Sequence, residues 1–178
     1  MFQHIRFLVM DVDGTLTDGK IYMGQSGELF KSFDTRDGFA IREILPLLAV
    51  RPVIITARES AIVANRAREL GVKELHQGCR NKLDKLQELL SVCSVNDGVT
   101  YSLANVAYIG DDLLDMQCLV PVAKAGGLAA CPADATQAVK NVCQFVANHN
   151  GGAGAVRELV EYMCAARDLK TEDVFACG

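Results

Sequence analysis

The residues best suited to chemistry sit where short apolar runs stop. Phe7-Leu8-Val9-Met10 leads into Asp11-Val12-Asp13-Gly14, Val53-Ile54-Ile55 into Thr56, and Val106-Ala107-Tyr108-Ile109 into Gly110-Asp111-Asp112. If these runs are parallel strands, Asp11, Thr56 and Asp111 emerge at one edge of a sheet, where open α/β sheets place their ligands. Asp11, Asp13 and Asp111, with Asp112 or Asp115, would then crowd one pocket. Like charges at close range oppose joint ionisation unless a cation is present. Oxygen-only donors beside a phosphate favour Mg²⁺, which binds through one or two carboxylates and keeps several waters. Lys82 at a helix start and the Thr56 hydroxyl add charge and a donor for the phosphate, the parts that phosphoryl transfer requires. No cofactor beyond the metal is called for.

Such a pocket needs strands alternating with helices. Helical spacing is present over roughly 37 to 48, over 59 to 70 with Arg66, Arg68 and Glu69 on the polar side, and over 81 to 93 with Leu83, Leu86, Leu89 and Leu90 on one face. The expected fold class is α/β, a doubly wound, Rossmann-like parallel sheet. Weaker strands near Leu75, Val122 and Phe145 would complete it, and a helix from about 154 to 166 would close it. Lys20 to Phe33 breaks the alternation: Ile21-Tyr22-Met23 and Leu29-Phe30-Lys31-Ser32-Phe33 flank Gly24-Gln25-Ser26-Gly27, the pattern of a β-hairpin. Following the first strand, it would act as a flap over the site. The gaps between Asp13, Thr56 and Lys82 hold no cap domain. Residues 1–166 are expected to form one core domain, with the flap at about 20–33, and 167–178 a C-terminal tail.

Composition narrows the partners. The chain has 178 residues, half of them hydrophobic and 22% charged, which suits one folded domain. A net charge of -4 disfavours nucleic acid and anionic membrane, both of which select for clustered Lys and Arg. Seven cysteines at 79, 93, 118, 131, 143, 164 and 177 form no C-x-x-C pair, so they read as apolar thiols in a reducing compartment. The run at Phe7 to Met10 is too short for a signal segment, and no stretch approaches a membrane span. A cytoplasmic protein with a small-molecule substrate is expected.

The ordered set Asp11-Val12-Asp13-Gly14-Thr15, Thr56, Lys82 and Gly110-Asp111-Asp112-Leu113-Leu114-Asp115 resembles the four motifs of the haloacid dehalogenase superfamily of aspartyl-phosphate phosphatases. The resemblance implies that Asp11 attacks phosphorus, and that Asp13 protonates the leaving alcohol and then activates water. It implies that Thr56 and Lys82 hold the phosphoryl oxygens. The metal would be held by Asp11, the Asp13 backbone carbonyl and Asp111, with Asp115 in support.

Thr17-Asp18-Gly19, Phe33-Asp34-Thr35-Arg36-Asp37-Gly38, His76-Gln77-Gly78 and Gly151-Gly152-Ala153-Gly154 extend the likeness to the capless sugar-acid phosphatases, which are homotetramers, and the likeness implies that 167–178 reaches over a neighbouring subunit's site as a lid. These act on 3-deoxy-D-manno-octulosonate 8-phosphate or on nonulosonate 9-phosphates. Arg58 after the second motif favours the octulosonate, since the nonulosonate enzymes tend to have Glu there. Ala153 and Ala57 depart from the octulosonate pattern. Arg58 and Arg36 are candidates for the sugar carboxylate, which a guanidinium can grip with two bonds. Two other classes compete. A phosphorylated receiver domain would lack Asp13 two residues after the acceptor. A catalytically silent oligomerisation module, of the kind fused to sialic-acid cytidylyltransferases, would have lost a motif residue.

Overall fold

The computed structural model describes residues 2–172. Three of the runs become the centre of a sheet: β1 (Phe7–Met10), β4 (Arg51–Ile55) and β6 (Val106–Ile109). Every residue of β1 and β6 is buried, as expected of strands covered on both faces. β1 pairs in parallel with β4 on one side and β6 on the other. β5 (Glu74–His76), β7 (Leu128–Cys131) and β8 (Phe145–Val146) complete a six-stranded sheet in the order β5-β4-β1-β6-β7-β8, parallel throughout. The doubly wound α/β fold is therefore present.

The period of two along β1 divides its side chains between two cores. Leu8 and Met10 face one core, built with Ile41, Ile44, Val63, Val156 and Leu159. Its helical cover is α1 (Thr35–Phe39) with the turns that follow it, α2 (Ala61–Glu69) and α6 (Ala155–Ala165). Phe7 and Val9 face the other core, with Leu86, Leu89, Cys118, Leu119 and Val122. That side is covered by α3 (Lys82–Asp97), α4 (Met116–Lys124) and the short α5 (Gln137–Lys140).

Two expectations are corrected. Val122 is not in a strand; it lies in α4, where Cys118, Leu119 and Val122 share the buried face at helical spacing. The strand comes six residues later as Leu128-Ala129-Ala130-Cys131, after a turn in which a Cβ on Gly127 would stand 2.5 Å from the Val106 carbonyl oxygen. The helix expected over 37 to 48 is α-helical only to Phe39, then continues as a π turn over Ala40–Ile44 and a 3-10 turn over Leu45–Leu48. Pro46 lacks the N–H that an α ladder needs, and Ala49 ends the segment in the left-handed region at φ 51.

The segment that breaks the alternation forms a hairpin of β2 (Tyr22–Gly24) and β3 (Gly27–Phe30), antiparallel and separate from the main sheet. Cys93, Cys118, Cys131 and Cys164 are buried, Cys79 and Cys143 half-buried, and all six are free thiols. Cys177 and the rest of 173–178 lie outside the described residues, so the reading of the tail as a lid is not reached. Among the described residues no helix is long and apolar enough to cross a membrane.

Candidate active site

The carboxyl ends of the central strands carry the site. Asp11 follows β1 and its N–H donates to the Ile109 carbonyl, so the ladder extends one residue beyond the strand and fixes the Asp11 backbone. Gly110 and Asp111 follow β6, and Thr56 follows β4, its N–H on the His76 carbonyl and its own carbonyl on Cys79. Two glycines make the approach possible. A Cβ on Gly14, at φ 96, would fall 2.1 Å from Asp111 Oδ2, and one on Gly110 would fall 2.3 Å from the Asp115 carboxyl carbon. The motif glycines are thus required by carboxylates that pack against bare backbone.

Asp11, Asp111 and Asp115 each place a carboxylate oxygen within 4.8 Å of the others. Lys82, 1% exposed at the start of α3, donates to Asp11 Oδ1 and to Asp115 Oδ1, both at 2.7 Å. Asp115 is fully engaged: Oδ1 also accepts the Tyr108 hydroxyl at 2.8 Å, and Oδ2 accepts the N–H groups of Asp111 and Asp112 at 3.1 and 3.3 Å. It ties β6, α3 and the loop that follows β6, leaving Asp11 and Asp111 as the carboxylates with coordination to spare. Asp111 accepts the Thr15 hydroxyl at 3.3 Å.

The electrostatics follow from this crowding. Burial first, then Asp115, pushes the Asp11 carboxyl up to about 6, against the pull of Lys82. Burial, then Asp11 and Asp115, pushes Asp111 up to about 7. Burial works to lower Lys82, but the two carboxylates outweigh it and raise the ammonium above its ordinary value, so it stays charged. Three carboxylates against one ammonium leave two negative charges when all are ionised, the charge of one divalent cation. All-oxygen donors and that charge fit Mg²⁺.

Asp13 is held by the hairpin and by the loop after β4. Its carboxylate accepts Lys31, buried at the end of β3, and Arg58 Nε lies 3.6 Å from its other oxygen. Glu28 sits beside them, 3.0 Å from Lys31 and 3.6 Å from Arg58 Nη2, and accepts the hydroxyl of Ser60, the N-cap of α2. Arg36 and Asp112 are placed elsewhere. Arg36 is held by Asp34 and donates to the Ala153 carbonyl at 2.7 Å, while Asp112 is exposed and caps the turn at Leu113. Asp112 therefore does not join the cluster.

Sequence reasoning missed Lys31, Glu28, Ser60, Tyr108 and the clamp on the glycine-rich loop. Tyr108 carried a signal, a hydroxyl inside a run whose two faces are both covered. The glycine-rich loop carried only its composition. In the fold, Gly152 donates to the Thr15 carbonyl at 3.0 Å, and Asp37 accepts the Arg157 N–H at 2.7 Å, joining α1 to the start of α6.

No protein-family model matches the chain. Relatives are nevertheless near. The 3-deoxy-D-manno-octulosonate 8-phosphate phosphatase KdsC of Escherichia coli (strain K12) is 39% identical over 165 residues, 93% of this chain and 82% of that protein. The crystal structure of the Moraxella catarrhalis 3-deoxy-D-manno-octulosonate 8-phosphate phosphatase, in complex with magnesium ion, phosphate ion and KDO, matches at TM-score 0.83 and 33% identity. That match covers 98% of this chain and 93% of that one. The sheet, the strand-end carboxylates and these likenesses define a phosphatase of the haloacid dehalogenase superfamily. The cobalt-bound deoxy-D-mannose-octulosonate 8-phosphate phosphatase of Haemophilus influenzae agrees, at TM-score 0.84 and 33% identity over 98% of this chain and 94% of that one. Within the superfamily, the chain belongs to the 3-deoxy-D-manno-octulosonate 8-phosphate phosphatase family.

Proposed function

We propose that this enzyme hydrolyses 3-deoxy-D-manno-octulosonate 8-phosphate through a phosphorylated Asp11, with Mg²⁺ as its metal. The observation that carries this reading is the Asp11 carboxylate itself: buried at the end of β1, bonded to Lys82, and grouped with Asp111. Asp11 attacks phosphorus, the bond from phosphorus to the sugar oxygen breaks, and Asp13 delivers its proton to that oxygen. Asp13 then takes a proton from water, whose oxygen displaces the Asp11 carboxylate and releases inorganic phosphate. Lys82 orients the nucleophile and, with the Thr56 hydroxyl, would hold the transferred oxygens. Asp11, the Asp13 main-chain carbonyl and Asp111 would hold Mg²⁺, with Asp115 in support; when bound, it neutralises charge that builds on the phosphoryl oxygens. Arg58, half exposed beside Asp13, would meet the sugar carboxylate. Arg36, exposed beside Asp34 and the Ala153 carbonyl, is the second candidate for it.

The same reading takes residues 1–166 as the catalytic core of a cytoplasmic homotetramer. It is supported by the hairpin, which turns Ile21, Met23, Leu29 and Phe30 outward at 42 to 63% exposure, an apolar face suited to a second copy of the chain. Phosphate release from a panel of sugar phosphates, including a nonulosonate 9-phosphate, tests the proposal with Mg²⁺ or EDTA. Turnover of the octulosonate ester that EDTA abolishes and Asp11→Asn lacks is expected. Preference for the nonulosonate would replace the substrate, and no turnover on any ester would end the reading.

A further inference from the structure

The mechanism above gives Lys31 no task, yet the fold buries it. Its side chain is 1% exposed although the hairpin around it is mostly half-buried or open to solvent. Burying an ammonium is costly unless it is paired and hydrogen-bonded. Here it has two carboxylate partners, Asp13 and Glu28. The contacts form a chain that runs from one element to another. The Ser60 hydroxyl at the start of α2 donates to Glu28 on β3, Glu28 holds Lys31, and Lys31 holds Asp13 in the loop after β1. Arg58 touches both Asp13 and Glu28 only at 3.6 Å and is 45% exposed, so it is the looser of the two cations on Asp13.

The geometry points to Lys31 as a positioning residue. It fixes the Asp13 carboxylate for proton delivery to the leaving oxygen, and Glu28 and Ser60 fix Lys31. This rests on the acid–base role proposed for Asp13. A lysine that acts in this way has a specific signature. An alcohol such as a sugar hydroxyl leaves poorly without a proton, whereas nitrophenolate leaves readily as the anion. Loss of Lys31 therefore harms turnover in proportion to the basicity of the leaving group. A lysine that bound substrate would instead raise KM, and one that served only the fold would harm all substrates alike.

The test compares wild type, Lys31→Met, Lys31→Arg and Asp13→Asn on the octulosonate 8-phosphate and on p-nitrophenyl phosphate, at saturating Mg²⁺. For Lys31→Met, the first-turnover rate at which the alcohol leaves the sugar ester is expected to fall by about tenfold to a hundredfold, part of the 10² to 10⁴ that a general acid contributes. That step precedes the attack of water on the phosphorylated Asp11, which is common to both esters. On the aryl ester the same rate is expected to stay within about threefold, with KM little changed on either, and Lys31→Arg is expected to recover most of the loss. Equal losses on both esters, or a rise in KM with kcat preserved, would overturn the proposal. Should Lys31→Met fail to fold, Glu28→Gln, which loosens Lys31 without removing it, gives the same pattern at smaller size. Asp13→Asn separates the two readings. If it too shows no dependence on the leaving group, the acid–base role of Asp13 is wrong. If it shows the dependence and the Lys31 variants do not, only the role of Lys31 is.

Discussion

Two lysines are buried against the catalytic loop, and they are held in different ways. Lys82 begins a sixteen-residue helix whose apolar face packs on the sheet, and its partners Asp11 and Asp115 follow strands buried on both faces. Lys31 ends a two-stranded hairpin that is attached to the core by polar contacts, Lys31 with Asp13 and Glu28 with Ser60. The nucleophile side of the site is therefore as rigid as the core. The leaving-group side depends on an element that a two-stranded ribbon alone would not keep in place. The lesson is a division of labour: the proposed nucleophile is fixed by the sheet and a long helix, and the proposed acid–base carboxylate by polar contacts from a hairpin.

That contrast can be strained from either end. The largest effect is expected on the rigid side, where Asp11→Asn removes the proposed nucleophile and should lower kcat by more than about a thousandfold, read by phosphate release. Next, Asp115→Asn leaves Lys82 and the Tyr108 hydroxyl short of a charged partner in a dry setting. Breaking a buried pair of this kind costs about 3–5 kcal/mol, to be measured by denaturant unfolding. The pH response comes third. Asp11 at about 6 and Asp111 at about 7 lie above the ordinary carboxylate value of 3.8, so the metal-free fold loses stability as pH rises through this range. Mg²⁺ needs the ionised forms. Its increment in melting temperature should accordingly be small at pH 5.5 and largest near pH 8, and an increment independent of pH would contradict the assignment. The smallest effect belongs to the hairpin side: Ser60→Ala removes the cap of α2 and the hold on Glu28, for about 1 kcal/mol in a thermal melt. A cost as large as that of Asp115→Asn would erase the difference between the two regions.

The nucleophile side was legible in the sequence, and the leaving-group side was not, for a physical reason. β1, β4 and β6 are continuous apolar runs, and a parallel sheet leaves little choice about where the residues after them go. Asp11, Asp111 and Lys82 could thus be placed together without coordinates. Lys31 depends on how far a hairpin bends back over the loop, which no periodicity encodes. The same limit explains β7. Leu-Ala-Ala-Cys has little strand character of its own, and it is a strand because β6 and β8 flank it, while the β-branched Val122 belongs to a helix.

Gly151 lies so close to the catalytic loop that a Cβ there would meet the Gly14 carbonyl oxygen at 1.8 Å. Residues 137 positions apart thus touch through bare backbone, and the loop that carries Asp11 and Asp13 is buttressed by a segment made well over a hundred residues after it. A nascent chain can hold its first strand and its nucleophile long before it holds that buttress. Catalytic competence is then expected to arrive only once that segment has been made, so a chain stopped short of Gly151 would be born without activity however well its early strands had formed.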